Sequence, residues 1–201
     1  PIAGPGYISN MSVLDDEKVW LTMLTPEYYS HVYHTFDGGN VWQESQVPFI
    51  SLVRFIHMWN EQEGIIVCDA LENGMVVFRT TNGGSAWTRV QNLPGVPNYE
   101  GLWSDCYKVI GDQLWFLTWS GIVFHTGDKG ATWNSWDPPF TGFSTALLEV
   151  SPVMDVYVIY YRYIQAGDRG VVNVYRRNVK EDSWTEITEK PNNFYPYDFV
   201  S

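Results

Sequence analysis

The chain has 201 residues, of which 16% are aromatic, and its formal net charge is −11 at pH 7. This length allows a substantial buried core, and the many tryptophans and tyrosines suit an all-β protein, whose pleated surfaces aromatic side chains fill. The negative charge argues against non-specific nucleic-acid binding, which requires Lys and Arg to neutralise phosphates. No apolar run of about 18 residues occurs, so no transmembrane segment is predicted.

The first predicted unit covers residues 7–47 and contains four short strands. An eight-residue segment between its third and fourth strands carries Thr35, Asp37, Gly39 and Trp42. Asp supplies a short hydrogen-bond acceptor for a turn, and Gly tolerates a positive φ. The segment therefore predicts a hairpin turn, with the tryptophan packing the hairpin onto its neighbours.

The second and third units, at residues 50–91 and 101–136, repeat this segment. The tryptophans of the three copies are separated by 45 and then 46 residues. A regular spacing of this length indicates a repeat architecture. We call the three segments, residues 35–42, 80–87 and 126–133, the boxes. The second and third boxes carry Thr80, Asn82, Gly84 and Trp87, and Thr126, Asp128, Gly130 and Trp133.

The fourth unit, at residues 144–188, is irregular. Trp184 stands 51 residues after Trp133, at the position of a box tryptophan, but the residues before it have lost the motif. Residues 194–201 resemble the first strand of a further unit. Units of four antiparallel strands are what a propeller blade requires. A piece of a larger propeller is favoured, and the alternative is a closed four-bladed ring whose first blade the last strand completes.

The boxes resemble the Asp-box, or bacterial neuraminidase repeat. The resemblance implies an all-β propeller of four-stranded antiparallel blades with Asp-box hairpins. It also implies that box residues are structural, because in sialidases the boxes lie away from the active site. One carboxylate per box offers too few oxygens for a calcium site, so neither a metal nor a cofactor is predicted.

Other segments, at residues 7–20, 55–64 and 109–116, look like secreted repeat proteins of Bacteroidota, many of them exported by the type IX system. That resemblance implies an extracellular or cell-surface location. A weaker resemblance is to the photosystem II assembly factor of cyanobacteria and plastids, which is also built from Asp-boxes. Two cysteines, Cys68 and Cys106, allow either one disulfide or two buried thiols.

No catalytic residue is predicted. A sialidase needs an arginine cluster facing a Tyr/Glu pair, and Arg54 lies on a predicted first strand without matching the Arg-Ile-Pro motif. A glycosidase needs two facing carboxylates, and the sequence cannot pair acids such as Asp69 and Glu100. The four histidines do not have zinc-ligand spacing.

Ligand binding is expected on the loops between the second and third strands of each unit and on the loops between blades, at the end opposite the boxes, because loops often carry function. Tyr28, Tyr29 and Trp119 are the predicted binding residues. The expected function is a non-catalytic module that binds a protein or glycan, the remaining blades, or neighbouring chains of an extracellular assembly. The alternatives are a sialidase-like glycosidase and a scaffold like the photosystem assembly factor.

Overall fold

A computed structural model describes residues 6–48, 52–70, 74–96, 100–139, 141, 145–164 and 169–188. These residues form four antiparallel sheets of four strands each, and no helix occurs within these ranges. In every sheet the hydrogen-bonded order of the strands follows their order in the chain. The predicted all-β fold of four-stranded antiparallel units is therefore confirmed.

The strands of the first two sheets are β1 (Tyr7–Val13), β2 (Val19–Leu24), β3 (Ser30–Thr35), β4 (Gln43–Glu44), β5 (Val53–Met58), β6 (Gly64–Ala70), β7 (Gly74–Thr80) and β8 (Thr88–Arg89). Those of the third and fourth sheets are β9 (Leu102–Ile110), β10 (Gln113–Thr118), β11 (Val123–Thr126), β12 (Asn134–Trp136), β13 (Thr145–Val150), β14 (Asp155–Ile164), β15 (Arg169–Asn178) and β16 (Thr185–Glu186). The last strand of every sheet is only two or three residues long.

The four sheets lie inside the residue ranges 7–47, 50–91, 101–136 and 144–188. Residues 194–201, for which a further strand is predicted, lie outside the described residues. Whether the four units belong to a larger propeller or to a closed ring stays a prediction.

Neighbouring sheets pack face to face through three apolar clusters. The second sheet contributes to two of them, because successive side chains of a strand point to opposite faces. Ile66 packs toward the first sheet, whereas Ile65 and Val67 pack toward the third. Because both faces of this strand are buried, the run from Ile65 to Cys68 is apolar throughout. In a half-exposed strand, apolar and polar residues would alternate.

The outer faces of the first and fourth sheets expose apolar side chains. Met11 and Val13 are 61% and 56% exposed, and Leu147 is 54% exposed. The corresponding positions of the second sheet are Ile56 and Met58, which are each 2% exposed because the first sheet covers them. Exposed apolar faces of this kind favour the prediction that another propeller blade packs on them.

A buried tryptophan is one of the contacts that attach the first sheet to the second. Trp20 is fully buried, and its indole N–H donates to the carbonyl of Gly83 at 2.8 Å. The ring lies against Gly84, where an added Cβ would stand 2.6 Å from the indole nitrogen. Gly84 also has a φ of +85°. Glycine is therefore required here both by the backbone conformation and by the close approach of the ring.

Substitution of Gly84 tests this attachment. We expect Gly84→Ala to lower the free energy of unfolding by about 3 kcal/mol, because it combines a left-handed backbone with overpacking against Trp20. Gly111→Ala is the matched control, since Gly111 has a φ of +59° and open space around its Cβ position. It should cost about 1 kcal/mol. Equal losses in urea denaturation would contradict the role of the tryptophan contact.

Candidate functional site

The first box is closed by its own side chains. The hydroxyl of Thr35 donates to the carboxylate of Asp37 at 2.8 Å and accepts the N–H of Gly39 at 3.1 Å. The same carboxylate oxygen accepts the N–H of Val41 at 2.9 Å. The Val41 N–H, followed by the Thr35 hydroxyl, holds the pKa of Asp37 below its usual value. The carboxylate is thus used to hold the turn.

The other two boxes repeat this pattern with nearly the same distances. In the second box the amide oxygen of Asn82 replaces the carboxylate and accepts from Thr80 at 2.9 Å and from the backbone at 3.0 Å. In the third box Asp128 accepts from the hydroxyl of Thr126 at 2.9 Å and from the N–H of Thr132 at 2.8 Å. Asn serves as well as Asp because only one acceptor oxygen is needed.

Each box is also fastened to the turn between the first two strands of its sheet. The backbone N–H groups of Gly38, Gly83 and Lys129 donate to carbonyls of these turns at 3.0, 3.0 and 3.1 Å. The boxes and these turns therefore share one end of the sheets. The loops between second and third strands lie at the opposite end, which we call the open end.

Substitution of one box threonine measures how much these hydrogen bonds contribute to the free energy of unfolding. Thr126 is fully buried, and its hydroxyl accepts the buried N–H of Gly130 at 2.9 Å. Thr126→Val keeps the shape but leaves that N–H unpaired, so we expect the free energy of unfolding to fall by about 2 kcal/mol. Thr185→Val, at an exposed position of β16, is the control and should change it by less than about 0.5 kcal/mol.

At the open end, Arg54 forms an ion pair with Asp69. The Nε of Arg54 donates to the Asp69 carboxylate at 2.9 Å, and one terminal nitrogen donates to the same oxygen at 2.5 Å. Pairing between β5 and β6 shifts register between Val53 and Phe55, so Arg54 is the extra residue of a β-bulge. Bulges redirect a side chain out of the regular pattern, and this one turns an arginine of the first strand toward the second.

Trp119 extends this group from the third sheet. The guanidinium carbon of Arg54 lies 5.5 Å from the centroid of the Trp119 ring, a cation–π distance. The ring rests on Gly101, whose Cβ position is 2.6 Å from it, and remains 44% exposed. Buried Glu100 accepts the N–H of Ser120 at 2.9 Å and fixes the turn that carries the ring. We call Arg54, Asp69, Glu100 and Trp119 the Arg54 cluster.

A cleft of about 340 Å³ opens beside Arg54, between the first strands of the first two sheets. Tyr7, Ile8, Asn10 and Val53 line it. The side chain of Asn10 crosses the sheet boundary and donates to the carbonyl of Val53 at 3.0 Å. The cleft and the Arg54 cluster together offer an arginine, an exposed indole and backbone groups to a ligand.

The structure does not bring the three predicted binding residues together. Tyr28 lies in the turn between β2 and β3, with a φ of +64° and 70% of its surface exposed. Tyr29 lines a groove on the first sheet with Ser30 and Glu44. Trp119 follows β10 in the third sheet, so the second sheet separates it from both tyrosines. Their role in binding stays a prediction.

The sequence shows single charged residues at Arg54, Asp69 and Glu100, but it does not indicate that they lie close together. A bulge leaves no sequence signature, and the ion pair joins residues 15 positions apart. A charged residue between the buried side chains of Val53 and Phe55 is the one available signal. It indicates a side chain that cannot enter the apolar core unpaired.

The histidines and cysteines show no metal chemistry. Within the described part of the chain, no three His, Cys, Asp or Glu side chains form a group that could hold a metal ion. Cys68 and Cys106 are both free and buried, so the disulfide alternative is not realised. Burial raises the pKa of the Cys68 thiol. His125 stacks on Trp115 at a centroid distance of 4.8 Å, as a core side chain would.

We expect the folded protein to become less stable in acid because of two of these histidines. Burial lowers the pKa of His57 and of His125 from 6.5 to about 4. Between these values the unfolded chain binds protons that the folded chain does not, so the free energy of unfolding should fall as pH drops from 6.5 to 4.

His57→Phe should reduce this pH dependence by about one proton, because the unfolded chain then loses one of its titrating groups. The measurement is the slope of the unfolding free energy against pH between 6 and 5, from chemical denaturation. A slope that the substitution leaves unchanged would contradict the neutral state of the half-buried His57.

A family model described as photosynthesis system II assembly factor YCF48 matches residues 28–142, which is more than half of the chain. The chain belongs to this family. No curated protein matches it. The predicted extracellular or cell-surface location is wrong, because the YCF48 family is named for assembling photosystem II, which is an intracellular task.

Solved structures of the YCF48 type share the fold. One described as "YCF48 bound to D1 peptide" has a TM-score of 0.54 and 18% identity, and the match covers 92% of this chain and 55% of that one. YCF48 from Cyanidioschyzon merolae gives 0.51 and 16%, covering 92% and 57%. The chain thus spans about half the length of these structures.

A GH74 xyloglucanase from Xanthomonas campestris also matches, with a TM-score of 0.56 and 12% identity over 92% of this chain and 31% of that one. At these identities the likeness concerns the fold alone. It confirms the predicted β-propeller class. Because both an assembly factor and a glycoside hydrolase share this fold, the fold does not decide whether this chain is an enzyme. No helix of the described residues is long and apolar enough to cross a membrane.

Proposed function

We propose that this propeller module is a non-catalytic scaffold that binds a segment of a partner protein during assembly of a membrane complex such as photosystem II. The observation that carries the proposal is the family match over residues 28–142. Support comes from the structure described as YCF48 bound to D1 peptide, a statement about that protein. Among the functions weighed from the sequence, the assembly-factor scaffold thereby replaces an extracellular binding module as the favoured one.

The Arg54 cluster is the site we assign to this binding. Asp69 holds two nitrogens of the Arg54 guanidinium, which fixes the plane of the group. Within the described part of the chain, no hydrogen bond uses the other terminal nitrogen, which could donate to a ligand. Arginine in this state donates well to peptide carbonyls and carboxylates. The exposed ring of Trp119 supplies an apolar surface of the kind enriched where proteins bind one another.

The carboxylates of this cluster are unsuited to glycoside hydrolysis. A glycosidase needs one carboxylic acid and one carboxylate that both reach the substrate. Asp69 is paired with Arg54, and Glu100 is 3% exposed and accepts a backbone N–H. Both acids therefore serve to position Arg54 and Trp119. This supports the non-catalytic assignment over the sialidase-like alternative.

The test measures binding of a fluorescein-labelled D1 peptide to the chain by fluorescence anisotropy. We expect Trp119→Ala to weaken binding at least about tenfold, because an exposed aromatic anchor is lost. Val153→Ala removes an apolar side chain that is 72% exposed in the turn between β13 and β14, at the box end of the fourth sheet, and is the control, with an expected change within about twofold.

Two outcomes would contradict different parts of the proposal. If the peptide binds the wild-type chain but Trp119→Ala has no effect, the Arg54 cluster is not the site. If no binding to the wild-type chain is detectable at about 1 mM, where even an affinity of about −4 kcal/mol would be visible, the proposed partner class is wrong.

A further inference from the structure

The Arg54 cluster contains two carboxyl groups and one cation. Asp69 accepts hydrogen bonds from two nitrogens of the Arg54 guanidinium, and each of the two side chains is 20% exposed. At this distance the carboxylate largely cancels the charge of the guanidinium. Glu100, which is 3% exposed, adds the second carboxyl group. The cluster therefore has no net positive charge with which to attract an anion.

The remaining donor of the cluster is the second terminal nitrogen of Arg54, which no hydrogen bond uses within the described part of the chain. A carboxylate bound there would share one small planar group with Asp69, and two negative charges held this close repel each other. A backbone carbonyl accepts the same hydrogen bond without adding a charge. Of the two acceptors that suit an arginine, the carbonyl is therefore favoured.

The spacing of Arg54 and Trp119 suits a short stretch of extended peptide. The guanidinium carbon lies 5.5 Å from the centroid of the indole ring, and an extended chain advances about 3.3 Å per residue. One carbonyl can therefore accept from Arg54 while a side chain one or two residues away packs on the ring. The ring rests on Gly101 and is 44% exposed, so its open face is available to an apolar side chain.

The charge of the whole chain acts in the same direction as the charge of the cluster. The formal net charge of −11 disfavours the approach of an acidic segment. A cation without a nearby counter-charge would offset this repulsion locally. Arg54 does not do so, because Asp69 compensates it.

We propose that the Arg54 cluster selects an uncharged segment of the partner protein. The second terminal nitrogen of Arg54 donates to a backbone carbonyl of this segment, and an apolar side chain of the segment packs on Trp119. Asp69 is the residue that determines this specificity, because its charge keeps carboxylates away from the donor. The inference rests on the proposed function, since it names the kind of segment that the same site binds.

The test compares two forms of the fluorescein-labelled D1 peptide by fluorescence anisotropy. One form keeps its carboxyl groups, and in the other every carboxyl group of the peptide, including that of its C-terminus, is replaced by the amide. Both forms carry the same label, so they differ only in the charge of the peptide. We expect the amide form to bind the wild-type chain at least about tenfold more tightly, because it places no negative charge beside Asp69.

Asp69→Asn separates the charge at the site from the charge of the whole chain. Asparagine keeps an acceptor oxygen for Arg54 but leaves the guanidinium without a counter-charge. We expect this variant to bind the carboxylate form at least about tenfold more tightly than the wild-type chain does. Asp16→Asn makes the same change in net charge at an exposed residue in the turn between β1 and β2, at the box end, and should leave that affinity within about twofold. Thermal unfolding of each variant checks that it folds.

The outcomes distinguish failure of this inference from failure of the proposed function. If neither form of the peptide binds the wild-type chain at about 1 mM, the proposed function is wrong and the inference is wrong with it. If the amide form binds no more tightly than the carboxylate form, the site does not select an uncharged segment, and only the inference is overturned. Equal effects of Asp69→Asn and Asp16→Asn would also overturn it, because Asp69 would then have no local role in selection.

Discussion

The hydroxyl of the box threonine is the group on which the arrangement of the sheets depends. In each box this hydroxyl donates to the Asp or Asn side chain. It also accepts the backbone N–H of the box glycine, which follows the threonine by 4 residues. These bonds set the path of the turn, and the path places the carbonyl of Gly83 where Trp20 can bond to it. A local turn thereby controls how one sheet meets the next.

With the boxes closed internally, the opposite end of the sheets carries the variable chemistry. There a bulge in β5 brings out Arg54, and the third sheet supplies Trp119 to cover it. The contact between Arg54 and Trp119 joins the second and third sheets, so the Arg54 cluster exists only when these two sheets are packed together. A scaffold of rigid hairpins with functional groups at its open end suits a protein that binds a partner without chemical change.

The edges of the sheets differ from one another in a way that the repeat pattern hides. The first edge is bridged to the second box by Gln46, whereas within the described residues its counterpart Gln91 makes no such bridge to the third box. Short last strands protect a sheet from uncontrolled edge pairing.

The sequence by itself determined the strand order, the boxes and the apolar character of the strands, because these follow from local periodicity and turn chemistry. It also offered the photosystem assembly factor, but as the weaker resemblance, and it gave a wrong location. Only the tertiary structure decided that Arg54 pairs with Asp69, that Trp119 and not Tyr28 stands beside them, and that Gln46 bridges two sheets. These depend on register and on contacts between sheets, and a register shift of one residue leaves composition and periodicity almost unchanged.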